Sequence, residues 1–173
     1  MNLRRKTPLH FSVNVAAIEL THRDIVASVQ DAVKESGADP AWLTLELTER
    51  MLAEETPQLV KMFNQLRELR VGLSVDDFGV GYSSFRYIDR YPLTEIKIDK
   101  SLVGEMAQSA AKRIIVGAII EIGRELGFDI VAEGIETEAQ RDALRMMSCP
   151  FGQGYLFGAP VEADVFKALA EKT

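Results

Sequence analysis

The feature that most constrains this chain is a regular exchange between two hydrophobic periods: short stretches alternating apolar with polar residues are separated by longer stretches with apolar residues three and four apart. The first period is that of a strand with one apolar face, and the second that of an amphipathic helix. Strands that are each followed by a helix run parallel, because a parallel neighbour is reached only through a crossover. The strand candidates are residues 9–15, 42–48, 71–76, 95–99, 128–133 and 154–157. Thr21 is expected to cap a helix that turns Ile25, Val26, Val29 and Val33 inward and ends at Gly37. Thr56 and Pro57 open the next, with Leu59, Met62, Phe63, Leu66 and Leu69 inward and Gly72 just beyond. A third is expected to bury Ile114, Ile115, Ala118, Ile119, Ile122 and Leu126 before stopping at Gly127. Thr137 and Gln140 form the capping-box pair of a fourth, and Val165, Phe166 and Leu169 mark a last one. Residues 83–91 read as a shorter helix.

Side-chain direction within the strands decides between an open doubly wound sheet and a closed barrel. Ser12-Val13-Asn14-Val15, Thr44-Leu45-Glu46-Leu47, Leu73-Ser74-Val75-Asp76 and Ile96-Lys97-Ile98-Asp99 each put apolar residues on one face and polar residues on the other. A central strand covered by helices on both sides would be nearly continuously apolar. The alternation therefore favours a barrel, with its polar inner face forming the floor of a site near the strand ends. Six units in 173 residues make roughly 29 residues per unit, and eight such units make about 230, near the usual size of a TIM-like (β/α)8 barrel. The expectation is a single domain over residues 1–173: an incomplete α/β barrel of about six βα units, the first two missing.

Composition narrows the partners. A formal net charge of -6 disfavours a nucleic-acid polymer or an anionic membrane surface, so a small anionic ligand would need locally placed cations. Cys149 is the one cysteine, which fits a reducing, cytoplasmic setting. The basic start is broken by Thr7, Pro8, His10 and Ser12 where a signal peptide would be apolar. The longest apolar run elsewhere, residues 114–120, is far short of the roughly 20 that span a bilayer.

On the barrel reading, Asn14, Glu46, Asp76, Lys97 and Glu133 come from consecutive strands and converge on one rim, with Asp77, Asp99 and Glu136 just beyond. Carboxylates crowded into a partly desolvated pocket repel one another, and one lysine cannot neutralise them; bound cations would. Oxygen ligands suit magnesium or manganese, with calcium as a competitor, and the lack of clustered His and Cys argues against zinc. His10 and His22 are read as structural or surface residues. Adjacent Asp76 and Asp77 suit a pair of metals that activates water for phosphodiester cleavage. Any one of these acids taken singly is more readily a helix cap or a solvated loop carboxylate; their coincidence at successive strand ends points to a site. The segment Asp77-Phe78-Gly79-Val80-Gly81-Tyr82-Ser83-Ser84 reads equally as a mobile lid or a tight strand-to-helix connection.

These residues resemble the EAL domains, which are cyclic di-GMP phosphodiesterases. The matching segments are Val13-Asn14-Val15, Glu46-Leu47-Thr48-Glu49, the segment from Asp76 to Ser84, Lys97-Ile98-Asp99, Ala132-Glu133-Gly134-Ile135-Glu136 and Gly152-Gln153-Gly154-Tyr155-Leu156-Phe157, in family order. The resemblance implies that Asn14, Glu46 and Asp76 bind one metal and that Asp76 and Asp77 bind a second, with Glu133 acting near it. It implies that Lys97 holds the attacking water, that Glu133 is the general base and that Glu136 supports it. Glu49 would anchor the lid loop that includes Phe78, Gly79 and Gly81, and Asp99 and Gln153 would lie at the substrate. The implied cofactors are two Mg2+ or Mn2+ ions, inhibited by Ca2+; the implied product is linear pGpG; and the implied assembly is a homodimer. The Glu-Ala-Leu motif that names the family, whose Glu is a metal ligand, is absent, and Val80 stands where Thr or Ala is usual. Weak or no turnover by this chain alone is therefore expected. A silent EAL module acting as a cyclic di-GMP receptor or protein-interaction domain is the alternative, and an unrelated metal-dependent barrel enzyme a third reading.

Overall fold

The computed structural model of the chain describes residues 8–22, 24–53, 56–80 and 88–170. Six strands, β1 (Phe11–Asn14), β2 (Leu43–Thr48), β3 (Gly72–Phe78), β4 (Glu95–Ile98), β5 (Asp129–Ala132) and β6 (Phe151–Gly152), form one sheet in the order of the sequence, every pair parallel. The helices are α1 (Ala17–His22), α2 (Ile25–Ser36), α3 (Glu49–Leu52), α4 (Pro57–Glu68), α5 (Lys100–Glu105), α6 (Ala110–Leu126), α7 (Glu138–Met146) and α8 (Ala163–Ala170). Because each strand pairs with the next in sequence, the sheet lacks the reversal of strand order that marks a doubly wound fold. This is the winding of a TIM-like barrel, here a curled sheet of six units.

The ladder register sorts the strand residues into two faces. Asn14, Glu46, Ser74, Glu95 and Asp129 lie opposite one another across five strands, a continuous polar row. Leu47, Val75, Ile96 and Ile130 form the neighbouring apolar row, each 1% exposed or less. That apolar face packs with Phe63 and Leu66 of α4, Val116, Ile119 and Ile120 of α6 and Leu144 of α7 in one core. Burying the outer face against helices leaves the polar face to line the concave side.

Local chemistry explains the helix ends. Thr56 caps α4 by accepting from the Leu59 amide, Ser109 caps α6 by accepting from the Lys112 amide, and Thr137 and Gln140 make the expected reciprocal box at α7. The cap of α2 is Asp24, not Thr21: its carboxylate accepts from the Ala27 amide, while position 21 falls in the separate helix α1. Gly37 ends α2 in the left-handed conformation as expected, but after α4 that role falls to Arg70 (φ 66°), leaving Gly72 inside β3.

Further expectations are corrected. The sixth strand is Phe151–Gly152, paired with Val131 and Ala132, and residues 155–157 form a turn instead. A Cβ on Gly154 would lie 2.3 Å from the backbone N and O of Ile135, so glycine lets the chain fold back onto that loop where a strand would have run on. Helix α6 is rotated from its expected face: Val116, Ile119, Ile120 and Gly123 are buried, whereas Ile114, Ile115 and Leu126 are exposed. Helix α8 forms, yet Val165, Phe166 and Leu169 are exposed. Of the short helix expected at 83–91, residues 81–87 lie outside the described residues and 88–90 form a turn.

Candidate functional site

Strict alternation along β3 would point Asp76 to the concave side, Asp77 away from it and Phe78 toward it. The ladder with β4 breaks that rule: Val75 lies opposite Ile96 and Phe78 opposite Ile98, so Asp76 and Asp77 together face the single residue Lys97. Two residues against one is a β-bulge, and Asp77 takes it up with a left-handed backbone (φ 55°), which aspartate tolerates better than most side chains. The bulge returns Phe78 to the apolar face, 1% exposed. It also leaves both aspartates at the mouth of the site, where they meet Glu133 just beyond β5, whose amide donates to the Ile98 carbonyl. Ligand oxygens of Asp76, Asp77 and Glu133 all lie within 4.8 Å of one another.

Lys97 is the cation of this cluster. Its Nζ is 2.6 Å from Glu133 Oε1, 2.9 Å from Glu46 Oε2 and 3.5 Å from Asp76 Oδ1, with the side chain 6% exposed. Burial alone would depress the ammonium's pKa, but the hydrogen bonds to Glu133 and Glu46 outweigh it and hold the group well above the ordinary lysine value. Glu133 shows the opposite balance: burial raises its carboxyl above the usual range, the Lys97 contact pulls it down, and repulsion by Asp76 and Glu46 adds to the rise. Asp77 is raised by burial and then by Asp76 and Asp99. One ammonium thus faces an excess of negative charge.

The surrounding residues lie at or just beyond the ends of the same strands. Asn14 lies opposite Glu46 in the β1–β2 ladder. Asp99 is buried at the start of α5, where Oδ1 accepts from the Ser101 amide at 2.8 Å and from the Ser101 hydroxyl. Glu49, buried at the start of α3, accepts from the Gly79 amide at 3.4 Å and so ties down the turn that follows β3; Phe78, expected in the loop, is instead the buried last residue of β3, and Gly81 lies outside the described residues. Gln153 Nε2 donates to Glu133 Oε1 at 2.8 Å. Glu136 is not brought into the cluster: it is exposed ahead of α7, its amide donating to Gln140 Oε1. Sequence reasoning passed over Ser101, whose signal was available in the spacing Asp-x-Ser at a helix start.

The donor set fits a hard divalent cation. Asp76 Oδ1 is buried and accepts no hydrogen bond, leaving lone pairs free toward the cluster. All three grouped ligands are carboxylates, the chemistry of magnesium, manganese or calcium sites.

The EAL domain profile matches residues 1–160. Among curated proteins, the chain is 39% identical over 155 residues to the bifunctional diguanylate cyclase/cyclic di-GMP phosphodiesterase MucR of Pseudomonas aeruginosa, covering 90% of this chain and 23% of MucR. It is 36% identical over 157 residues to the cyclic di-GMP phosphodiesterase PdeL of Escherichia coli, covering 91% of this chain and 43% of PdeL. The chain therefore spans less than half the length of these relatives. The solved cyclic di-GMP complex of the MucR phosphodiesterase superposes with a TM-score of 0.85 at 39% identity, over 91% of this chain and 64% of that one. A manganese/cyclic di-GMP complex of BlrP1 from Klebsiella pneumoniae superposes with a TM-score of 0.82 at 31% identity, over 87% of this chain and 39% of that one.

Proposed function

The chain belongs to the EAL domain family, and from that premise we propose that it is a metal-dependent phosphodiesterase unit that hydrolyses cyclic di-GMP to linear pGpG. The observation that carries the reading is the bulge that sets Asp76 and Asp77 together against Glu133, with Lys97 behind them. Asn14, Glu46 and Asp76 would hold one divalent ion, and Asp76 and Asp77 a second with Glu133 beside it. Such ions, Mg2+ or Mn2+ with Ca2+ as an inhibitor, offset phosphate charge and make water nucleophilic near neutral pH.

The chain's own residues do the rest. Lys97 hydrogen-bonds and orients the attacking water. Glu133, whose carboxyl is raised by burial, accepts the proton as the water oxygen bonds to phosphorus and the ribose ester bond breaks, the released ribose oxygen taking a proton from solvent to become the hydroxyl of the product. Glu49 keeps the loop after Asp77 in place. An acidic protein would bind an anionic substrate here because the bound cations would supply positive charge locally.

The homodimer is proposed on the same resemblance, supported by Ile114 and Leu126 standing 70% and 55% exposed along α6. A cytoplasmic setting accords with the free thiol of Cys149, and no helix among the described residues is long and apolar enough to cross a membrane.

The test is chromatographic detection of pGpG from cyclic di-GMP with Mn2+ or Mg2+, using this chain and a version extended upstream. The reading expects Mn2+-dependent product from the extended version, with weak or no turnover by this chain alone, and expects Glu133→Ala and Asp76→Asn to abolish it. Binding by both versions without hydrolysis by either would establish the receptor alternative instead.

A further inference from the structure

Gln153 follows β6 directly, and its backbone is clamped on both sides. Its amide donates to the Ala132 carbonyl at 2.9 Å, and its carbonyl accepts from the Ile135 amide at 3.1 Å. A Cβ on Gly152 would lie 2.5 Å from Ile135 Cδ1, and one on Gly154 only 2.3 Å from the Ile135 backbone. The two flanking glycines thus allow this segment to lie flush on residues 132–135, the segment that carries Glu133. The Gln153 side chain then reaches across, and its amide nitrogen donates to Glu133 Oε1 at 2.8 Å.

The same oxygen also receives Lys97 Nζ at 2.6 Å. Two donors, one charged and one neutral, converge on Oε1, while Oε2 accepts from no group among the described residues. A carboxylate held through one oxygen by donors from two different segments, β4 and the residue after β6, has its plane fixed, and the other oxygen is presented to whatever occupies the space between Glu133 and the aspartates.

We infer that Gln153 is a positioning residue for Glu133, fixing the rotation of that carboxylate rather than gaining substrate affinity. Lys97 cannot do this alone, because it is shared among Glu46, Asp76 and Glu133 and supplies charge compensation to all three. A neutral amide contributes direction without further neutralising a site whose negative charge draws in the cations. The inference rests on the phosphodiesterase reading for its kinetic arm and stands apart from it in its binding arm.

The experiment compares the parent with Gln153→Ala and Gln153→Glu. Gln153→Glu keeps the size of the side chain but puts an acceptor where the donor was. Calorimetric titration with Mn2+ alone is expected to show affinity weakened by roughly 10-fold or more in both variants, the usual loss when a partner of a metal-site carboxylate is removed. With cyclic di-GMP, kcat is expected to fall by roughly 10–100-fold while KM stays within about 2-fold. A raised KM at unchanged kcat would mean that Gln153 contacts substrate, and parental Mn2+ affinity in both variants would mean that it does not hold Glu133; either result overturns the inference. Because the Mn2+ titration needs no turnover, it decides the point even if the chain hydrolyses nothing.

Discussion

Replacing Lys97 by methionine keeps the stem of the side chain and removes the ammonium. The structure allows the cost to be worked out. Contacts of 2.6 to 3.5 Å to three carboxylates correspond to gross attractions of about 5–6 kcal/mol each at an effective dielectric of about 20. Most of that is cancelled by the desolvation of a side chain only 6% exposed, and breaking a buried pair on one side only costs about 3–5 kcal/mol. Lys97→Met should therefore lose about 3–5 kcal/mol of unfolding free energy in urea near neutral pH, or roughly 6–20 °C in Tm for a chain of this length.

The pH dependence adds a second check. Lys97 has a folded pKa above its ordinary value, so its contribution is complete below that ordinary value and lost only as pH rises through the elevated one. Neutral and mildly acidic buffers leave it intact in the parent. In the variant, the unpaired carboxylates take up protons more readily, so its deficit should shrink as pH falls from about 7.5 to about 5.5. A loss below about 1 kcal/mol, as for a surface pair, or a deficit that grows on acidification, would refute the account of Lys97 as the counter-ion.

Three other perturbations probe separate parts of the account. Asp77→Gly relieves a left-handed backbone at a non-glycine residue, so the metal-free protein should gain about 0.5–1 kcal/mol in thermal or urea unfolding, net of glycine's greater unfolded-state entropy. The same variant should bind Mn2+ at least roughly 10-fold more weakly by calorimetry, and unaltered binding would remove Asp77 from the ligand set. Glu133, Glu95 and Asp77 all have folded pKa values raised chiefly by burial, so their contribution favours the folded state below the ordinary carboxyl values and is lost as pH rises through the elevated ones. The metal-free melting temperature should accordingly climb as pH is lowered from neutral through the elevated carboxyl values toward the ordinary ones, with a flatter slope under saturating Mn2+, which must displace those protons. On α6, Ile119→Ala should cost about 2–5 kcal/mol in urea unfolding and Ile114→Ala less than about 0.5 kcal/mol, and comparably large losses at both positions would mean that the helix is turned as its sequence pattern first suggested.

The strand faces were legible because Thr44 to Leu47 and Ile96 to Asp99 alternate without exception, and the barrel winding followed from that alternation. The starts of α4 and α7 were legible because Thr56 and Thr137 each stand just before a first helical turn, and the end of α6 because Gly127 follows it; the Ser109 cap of α6 was passed over. The inward face of α6 was not, because its apolar residues make two overlapping stripes. What selects between them is remote: a Cβ at Gly123 would lie 2.3 Å from the Ile130 side chain, so the glycine marks where the helix presses on the sheet.

The candidate site was half legible. Residue types and strand ends pointed to Glu46, Asp76, Lys97 and Glu133, which the structure joins directly or through Lys97. The bulge was hidden, since Asp76-Asp77-Phe78 is compatible with an ordinary strand end and only the register against β4 reveals the extra residue. The contact between Gln153 and Glu133 was equally hidden, because it joins positions 20 residues apart across two strands. Glu136 was placed with the cluster from its nearness to Glu133 in sequence, yet the turn that follows Glu133 carries it outward.

Anomalous diffraction from crystals of this chain soaked in Mn2+ tests the central claim most directly. The account predicts a peak within coordination distance, about 2.0–2.6 Å, of carboxylate oxygens from Asp76, Asp77 or Glu133, on the concave side of the sheet above Lys97. A peak only at other carboxylates, or none at saturating Mn2+, would contradict it.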